Sequence, residues 1–336
     1  MRRSATRGFI SPIVWRVALG ERLRQSIVAI AVMVVVGMMP VDAIAGSFSK
    51  VFVFGDSLSD TGNAFLATGK TIPLSPPYYQ GRFSNGLVWV ERLGYSAKPF
   101  LAGGTNFAFG SATTEDMLLQ VGVFFISHFF HADPHALYVV WGGATDIRHT
   151  VCNAVVQDPT VCGAVETIDA ACHHIAQVIS LLTGVGARHF LVPNVPDIGL
   201  IPETQDLETL DPTAAALASD LTHALNGCVE TQLKTLEADN HRIEITRLDA
   251  FTLLDDVVAD ADKCGFTNVT VGCLDGDPLT FTHVCDSGGF TSGVPVASGY
   301  LFFDNQHPTA AGHTLLAEAA RKAIAGLLAL PACLVQ

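Results

Sequence analysis

A serine directly follows an apolar segment near the start of the chain, in the stretch VFVFGDSLSDTGN at residues 51–63. Four β-prone residues run into Gly55, which is how a buried strand ends in a tight turn. Ser57 is therefore expected at the carboxyl end of a strand, where open α/β sheets place their ligands. The turn leads toward a helix N-terminus, whose free N–H groups favour the negative charge that forms when an oxygen nucleophile attacks an ester. Taken alone, the pattern also fits a loop in which Asp56 or Ser57 caps the next helix.

An aspartate and a histidine lie near the other end of the chain, in the stretch FFDNQHPT at residues 302–309. Asp304 precedes His307 by three residues, which places both side chains on one side of a turn. Pro308 ends that turn, and Thr309 can cap the following helix. A serine hydroxyl is a weak nucleophile until a base removes its proton, and a carboxylate that holds the imidazole in one tautomer completes such a site. Because the chain has 12 histidines, a chance surface pair is the alternative for these two residues.

Alternating strands and helices are expected to position these side chains. Apolar, β-prone segments predict strands at 51–54, 105–109, 136–141, 189–192 and 243–245. Longer segments predict helices at 87–93, 117–130, 164–182, 213–236, 251–258 and 309–330. This alternation predicts one α/β domain with a central, mainly parallel five-stranded sheet and helices on both faces. Residues 262–302 are rich in Gly, Cys and Thr without a clear period, and we expect them to form an insertion in that domain.

The first 45 residues have the features of a secretory signal peptide. Six arginines precede an apolar run at 27–39, and the small residues Ala43 and Ala45 mark a cleavage site before Gly46. We therefore expect residues 1–45 to be removed and residues 46–336 to form a single exported domain, in the periplasm or outside the cell. An uncleaved N-terminal anchor is the alternative, because the apolar run is close to the shortest length that spans a bilayer.

The net charge argues against a nucleic-acid partner. The chain carries 19 basic and 32 acidic side chains, for a formal net charge of −13. Removal of the arginine-rich leader would make the remainder still more acidic. Phosphate binding requires basic patches, so the composition fits a soluble exported protein better than a protein that binds DNA or RNA.

All eight cysteines lie after the leader, and an even number of cysteines outside the cytosol favours disulfides. They are Cys152, Cys162, Cys172, Cys228, Cys264, Cys273, Cys285 and Cys333. The first three flank one predicted loop and three others punctuate the range 262–302, so we expect local bridges within each group. The pairing itself does not follow from the sequence.

Metal binding is not expected from either the cysteines or the histidines. A zinc site is disfavoured because the chain has no close Cys-x-x-Cys pair. His128, His131 and His135 have a spacing that could serve a metal, but the end of a helix and the loop after it are the plainer interpretation. The sequence therefore predicts a protein without a metal or other cofactor.

Two groups of aromatic residues allow a role in substrate binding as well as a role in packing. The first group is Phe124, Phe125, Phe129 and Phe130, and the second group is Tyr78, Tyr79 and Phe83. The first group could line an acyl pocket, although core packing is the plainer interpretation. The second group could shape the entrance to a site or pack in the interior, and the sequence does not decide between them.

The order of its motifs makes the chain resemble the GDSL, or SGNH, hydrolases, and within them the secreted bacterial lipases and esterases. The matching segments are GDSLSDTGN at 55–63, GRFSNG at 81–86, NFAFGSA at 106–112, WGGATD at 141–146, VPNVPDIG at 192–199 and DNQH at 304–307. The first, third, fourth and last of these are similar to the family's successive blocks. Each match is weak alone, but together they run in family order across nearly all of the chain after the leader.

The resemblance implies a three-layer, flavodoxin-like (SGNH hydrolase) fold and hydrolysis of carboxylic esters. Ser57 would be the nucleophile, His307 the base and then the acid, and Asp304 the carboxylate that orients the imidazole. The substrate would be a small-molecule or lipid ester, met in solution or during transient contact with a lipid surface. Removal of acetyl groups from a polysaccharide and acyl transfer are the alternatives on the same fold.

The oxyanion hole implied by the resemblance departs from the family pattern at two positions. Its donors would be the backbone N–H of Ser57, a backbone N–H at Gly110 or Ser111, and the side chain of Thr145. The family's third block ends in Gly-x-Asn-Asp, so Thr145 replaces an amide with a shorter hydroxyl. The second block usually has two adjacent glycines, and the change to Gly110-Ser111 keeps a backbone N–H. We expect a slower or altered enzyme, and a binding protein on a disabled hydrolase fold is the alternative that Thr145 leaves open.

Overall fold

The computed structural model of the protein describes residues 48–275, 283–284, 290–291 and 294–335. The predicted signal peptide at 1–45 lies outside these residues. Its cleavage and the single exported domain at 46–336 therefore remain predictions.

The described residues contain nine α-helices and five 3₁₀-helices. The α-helices are α1 (Asn63–Ala67), α2 (Thr114–Ser127), α3 (Ala144–Val156), α4 (Pro159–Cys162), α5 (Ile168–Gly184), α6 (Pro202–Leu207), α7 (Ala214–Asp239), α8 (Ala250–Ala259) and α9 (Ala310–Ile324). The 3₁₀-helices are Trp89–Arg92, Phe100–Ala102, Ile198–Leu200, Ala261–Cys264 and Ala332–Leu334. The helices predicted at 117–130, 164–182, 213–236 and 251–258 are found within about four residues of their expected bounds. The last predicted helix ends earlier, at Ile324, and the segment predicted as a helix at 87–93 forms only the 3₁₀-helix Trp89–Arg92. None of the helices in this part of the chain is long and apolar enough to cross a membrane.

Ten β-strands are described, of which four form the central sheet. They are β1 (Val51–Gly55), β2 (Leu137–Trp141), β3 (His189–Pro193), β4 (Glu244–Leu248), β5 (Asn268–Gly272), β6 (Leu274–Asp275), β7 (His283–Val284), β8 (Phe290–Thr291), β9 (Val294–Pro295) and β10 (Tyr300–Phe302). The central sheet has the order β1-β2-β3-β4, and every pair in it is parallel. All residues of β1 and β2 are buried, as expected for a parallel sheet covered on both faces.

Helices pack on the sheet as the predicted α/β architecture requires. Helix α2 packs against β1 and α5, and α5 packs against α7. Helix α9 packs against β4 and the 3₁₀-helix Trp89–Arg92. The three-layer α/β fold predicted from the alternating sequence pattern is confirmed.

The fifth predicted strand, at 105–109, is present only as an irregular edge along β1. Asn106 forms a single parallel bridge with Val53. Glycines at 104 and 110 bound the segment, and turns at both ends limit the length over which it can pair. The central sheet therefore has four regular strands where the sequence predicted five.

The range 262–302, predicted as an insertion in the domain, contains short strands in its described parts. Strand β5 pairs in parallel with β10, while β6–β7 and β8–β9 are antiparallel pairs. Strand β10 leads directly into the segment at 303–307, so its pairing with β5 helps to place Asp304 and His307. Thr309 then caps α9, because its side chain accepts the N–H of Gly312.

Three disulfides join described cysteines, and only one of them is local. Cys152–Cys162 closes a short loop, as predicted. Cys172–Cys228 and Cys264–Cys333 span 56 and 69 positions, which corrects the expectation of local bridges. The physical reason for the first of these is the packing of α5 against α7, which brings distant cysteines together. Cys273 is also disulfide-bonded, and Cys285 lies outside the described residues.

Candidate active site

Hydrogen bonds link three side chains into a triad: Ser57, His307 and Asp304. Ser57 Oγ is 2.8 Å from His307 Nε2, although 250 positions separate the two residues in the sequence. His307 Nδ1 lies 2.9 and 2.8 Å from the two carboxylate oxygens of Asp304. His307 and Asp304 are buried, while Ser57 is partly exposed. This geometry supplies a nucleophile, a base and a carboxylate that orients the base.

The turn that carries Ser57 depends on a glycine before it and a buried aspartate after it. A Cβ on Gly55 would overlap the backbone carbonyl oxygen of Trp141, so a residue with a side chain would push β1 away from β2. Asp60 accepts backbone N–H groups from residues 62–64 at the start of α1 and from Gly110. Burial raises the pKa of Asp60, while these N–H groups act in the opposite direction. The two ends of the turn are thus fixed, and Ser57 projects between them.

Asp304 accepts hydrogen bonds at both carboxylate oxygens. Its Oδ1 accepts the N–H groups of Gln306 at 2.8 Å and His307 at 2.7 Å, and its Oδ2 accepts the hydroxyl of Tyr78 at 2.7 Å. Burial by itself would raise the pKa of Asp304, but the attraction of His307 and these hydrogen bonds bring that pKa below its ordinary value. The carboxylate therefore stays ionised and accepts the proton on Nδ1, which leaves Nε2 as the acceptor that faces Ser57.

Asp56, the neighbour of Ser57, is a second buried carboxyl group at the site. Its Oδ1 accepts the N–H of Leu58 at 3.0 Å. Burial raises the pKa of Asp56 to about 6, against the lowering effects of that N–H and of His307. Sequence reasoning assigned Asp56 only a capping role, because burial is not visible in a local pattern.

Tyr78 and Phe83 support the segment that carries Asp304 and His307. Both aromatic side chains are buried. Tyr78 donates its hydroxyl proton to Asp304, and the ring of Phe83 lies 5.2 Å from the ring of His307, centroid to centroid. The packing interpretation is therefore the correct one for both residues. The bond between Tyr78 and Asp304 spans 226 positions, so no local sequence signal pointed to it.

A network of three polar side chains ties the segment at 304–307 to α3 and α6. Arg148 of α3 donates through two nitrogens to the carboxylate of Glu203 in α6. Glu203 also accepts Nε2–H of Gln306 at 2.9 Å, and its backbone N–H donates to the carbonyl of Asn305 at 2.8 Å. Sequence reasoning missed this network, because its members come from three separate segments.

The residues predicted for an oxyanion hole line two different cavities. Thr145 lines the same cavity as Ser57 and His307. Gly110 and Ser111 line a different cavity beside α2, and Gly110 already donates its N–H to Asp60 at 2.9 Å. The backbone donor from this segment therefore remains a prediction for Ser111.

The cavity at Ser57 has a polar head and apolar walls. Its volume is about 100 Å³. The polar side chains are Asp56, Ser57, Thr145, Arg148, Gln306 and His307. Apolar side chains of α8, α9, β10 and the segment 196–201 form most of the remaining surface. An ester group at the head would face the reactive atoms, while an apolar chain would fit along the walls.

The phenylalanines of the segment 117–130 do not line this cavity. Phe124 is buried in the core, with ring centroids 5.2 Å from Phe52 and 5.7 Å from Phe54. Phe129 and Phe130 are 83% and 60% exposed. The structure therefore favours the packing interpretation for Phe124 and places none of these phenylalanines at the cavity of Ser57.

His128, one of the three histidines considered for a metal, stacks on Phe124 with ring centroids 4.4 Å apart. The residues that the structure describes contain no cluster of three or more His, Cys, Asp or Glu side chains that could hold a metal ion. His128 thus belongs to the packing around α2.

Residues 51–320 match the family described as GDSL-like lipase/acylhydrolase. The chain belongs to this family. The match includes the segments that carry Ser57, Asp304 and His307, and it covers most of the described residues of the GDSL protein. Membership supports ester hydrolysis or acyl transfer as the general chemistry of the chain, in agreement with the expectation from its motifs.

The GDSL protein is similar to relatives from bacteria and plants at modest identity. It is 28% identical over 287 residues to the thermolabile hemolysin of Vibrio parahaemolyticus, and the alignment covers 80% of this chain and 62% of that protein. It is 27% identical over 309 residues to the phosphatidylcholine-sterol acyltransferase of Aeromonas hydrophila, with 82% and 89% covered. It is 26% identical over 332 residues to a GDSL esterase/lipase of Arabidopsis thaliana, with 81% and 84% covered. The chain thus spans less than two thirds of the hemolysin's length.

Proposed function

We propose that this GDSL-family protein is an exported serine esterase or lipase that hydrolyses carboxylic esters through an acyl-enzyme on Ser57. The observation that carries the proposal is the distance of 2.8 Å between Ser57 Oγ and His307 Nε2. Asp304 lies behind the imidazole at 2.8 Å from Nδ1. The base is therefore within hydrogen-bond reach of both the nucleophile and the orienting group, as an acyl transfer to serine requires.

The reaction proceeds in two halves that use the same base. Ser57 Oγ attacks the ester carbonyl while its proton passes to Nε2 of His307, and Asp304 stabilises the imidazolium that forms. The tetrahedral intermediate collapses when Nε2 protonates the departing alcohol oxygen, which leaves the acyl group on Ser57. A water molecule then gives its proton to Nε2 and attacks the acyl carbon, and Ser57 recovers its proton as the acid leaves.

The negative oxygen of each intermediate needs hydrogen-bond donors. We assign this role to the N–H of Ser57 and to Thr145, which lines the same cavity. The N–H of Ser111 is the third candidate from the family pattern, although Ser111 lines the cavity beside α2. Thr145 is the second residue of α3, where backbone N–H groups have no partner within the helix and the helix dipole favours negative charge. Its backbone can therefore contribute as well as its hydroxyl. Removal of one such donor typically lowers the rate about 10²–10³-fold.

Replacement of the nucleophile tests the proposal. Ser57→Ala should abolish turnover of p-nitrophenyl esters and labelling by a fluorophosphonate probe, while circular dichroism shows an unchanged fold. Unchanged turnover in this variant would refute the assignment of Ser57. Failure of the unmodified protein to react with the probe would instead favour a binding protein on a disabled hydrolase fold.

Export is the second part of the proposal. It is supported by the apolar run and small residues of the leader and by the disulfides among the described cysteines, which persist in oxidising compartments. Expression of the full chain followed by N-terminal sequencing of the product should give a protein that starts at Gly46. A product that keeps the leader would favour the N-terminal anchor.

Acyl transfer is a second candidate reaction, favoured by the similarity to the phosphatidylcholine-sterol acyltransferase of Aeromonas hydrophila. The acyl-enzyme on Ser57 would then react with an alcohol in place of water, with His307 as the base in both cases. Incubation of the protein with an ester donor and an added alcohol should separate the two candidates. A hydrolase releases mainly free acid, whereas a transferase forms mainly the new ester.

A further inference from the structure

Two helices turn apolar faces toward the cavity that opens at Ser57. Ala250, Leu253 and Val257 line it from α8, at spacings of three and four residues that place them on one side of the helix. Leu315 and Leu316 line it from α9. The face of α8 extends over two turns, or about 10 Å along the helix axis. We refer to the part of the cavity along these apolar faces as the channel.

The polar side chains of the cavity lie around Ser57, and we call this part of the cavity its head. The segments 56–57 and 306–307 contribute four of the polar side chains, and Ser57 is bonded to His307. The other two, Thr145 and Arg148, lie within one turn of α3, and Arg148 shares its partner Glu203 with the segment 306–307. The apolar walls beyond them offer no charged group, so a chain that enters there is recognised by its shape and hydrophobicity.

We propose that the apolar walls bind the acyl chain of the substrate and select short chains, with Val257 and Leu316 setting the length limit. This proposal rests on the proposed esterase function. Val257 and Leu316 are only 3% and 8% exposed, so both belong to an interior wall rather than to the protein surface. The acyl group stays attached to Ser57 through both halves of the reaction, while the alcohol leaves and water enters. A wall of buried apolar side chains suits the group that stays.

The size of the cavity sets the chain length. An apolar cavity of roughly 150 Å³ holds one benzene molecule, which has about six carbons. By the same measure, the volume of about 100 Å³ at Ser57 holds a chain of about four carbons. Each methylene that the channel buries should raise kcat/KM about fourfold until the channel is full. Longer chains would then gain nothing further or would collide with Val257 and Leu316.

Activity toward a series of p-nitrophenyl esters tests this proposal. We expect kcat/KM to rise from acetate to butyrate and to fall for octanoate and palmitate. Val257→Ala and Leu316→Ala should each raise the ratio of octanoate to butyrate activity about tenfold, because each variant removes volume from the channel wall. Val258→Ala is the matched control, since Val258 neighbours Val257 on α8 but packs against the core outside the cavity.

A filling variant keeps the test decisive if the smaller side chains destabilise the protein. Val257→Phe should lower activity toward butyrate at least about tenfold more than activity toward acetate. A preference for palmitate in the unmodified protein would overturn the proposal, as would equal chain-length profiles for Val257→Ala and Val258→Ala. The proposal would also be overturned if Val257→Ala changed the relative activity toward a series of alkyl acetates, because the channel would then hold the alcohol.

A separate measurement distinguishes an incorrect acyl channel from an incorrect assignment of the esterase. Fluorophosphonate labelling reports the reactivity of Ser57 independently of chain length. Normal labelling together with an unshifted chain-length profile would reject the acyl channel and leave the esterase intact. Absence of labelling in the unmodified protein would reject the esterase itself.

Discussion

The hydroxyl of Tyr78 donates a hydrogen bond of 2.7 Å to Oδ2 of Asp304. Tyr78 is fully buried and lies in a segment far from Asp304 in the sequence. Its bond is one of the interactions that lower the pKa of Asp304 against the effect of burial. Tyr78 touches neither Ser57 nor the substrate in the proposed reaction, so its role is to position the carboxylate that orients His307.

Tyr78→Phe should lower kcat/KM about tenfold while the protein remains folded, because a hydrogen bond to a charged group is lost in a buried site. Loss of this donor should also raise the pKa of Asp304. Protonation of the carboxylate then begins at a higher pH, so the acid limb of the pH–activity profile should move upward. Tyr79→Phe is the control, since Tyr79 lies next in the chain and is partly exposed. Identical pH profiles for the two variants would contradict a positioning role.

Glu203→Gln should lower kcat about tenfold, because Arg148 loses its charged partner and one of the two oxygens that accept from Arg148 and Gln306 becomes an N–H donor. The free energy of unfolding should fall by about 1–3 kcal/mol, the usual range for a charged group left without its partner. Turnover and urea unfolding measure the two effects. Glu208→Gln, a change of the same kind just after α6, should alter neither. Unchanged turnover in Glu203→Gln would show that the network serves stability alone.

Thr145→Asn should raise kcat, because the longer amide restores the donor that the family pattern has at this position. Thr145→Val should lower kcat about 10–100-fold, since valine keeps the shape of threonine but removes the hydroxyl donor. Steady-state turnover of p-nitrophenyl butyrate measures both variants. Equal activity of the valine variant and the unmodified protein would exclude the Thr145 hydroxyl as an oxyanion donor.

His313 of α9 should make the protein less stable in acid. The side chain is fully buried, and neither ring nitrogen has a hydrogen-bond partner among the residues that the structure describes. Burial, with smaller effects of His307 and Arg92, lowers the pKa of His313 to about 3. An unfolded histidine has a pKa of about 6.5, so the unfolded state binds the proton first as the pH falls.

The contribution of His313 to stability is therefore fully present above about pH 6.5 and is lost toward pH 3, by up to about 1.4 kcal/mol per pH unit. Urea unfolding at pH 7, 5 and 4 should show this slope, and His313→Leu should reduce it. His241→Leu, at an exposed position, should leave the slope as it is. An equal slope in His313→Leu and the unmodified protein would assign the acid sensitivity to other groups.

The local features of the site could be predicted from the sequence. A β-prone run that ends in Gly55 determines a strand followed by a turn, and that turn carries Ser57. The spacing of three residues between Asp304 and His307 places both on one turn before the cap of α9. Alternation of apolar segments determines the parallel α/β fold, because the period of a segment encodes which of its faces is buried.

Only the tertiary structure decided which buried faces meet. The bond from Tyr78 to Asp304, the disulfide Cys172–Cys228 and the channel between α8 and α9 join residues from distant segments. Hydrophobic periodicity indicates which face of a segment is buried, but it does not indicate which neighbour covers that face. None of these contacts can therefore be predicted from a single sequence. Packing of whole helices against one sheet determines them, and packing depends on the shapes of all the segments together.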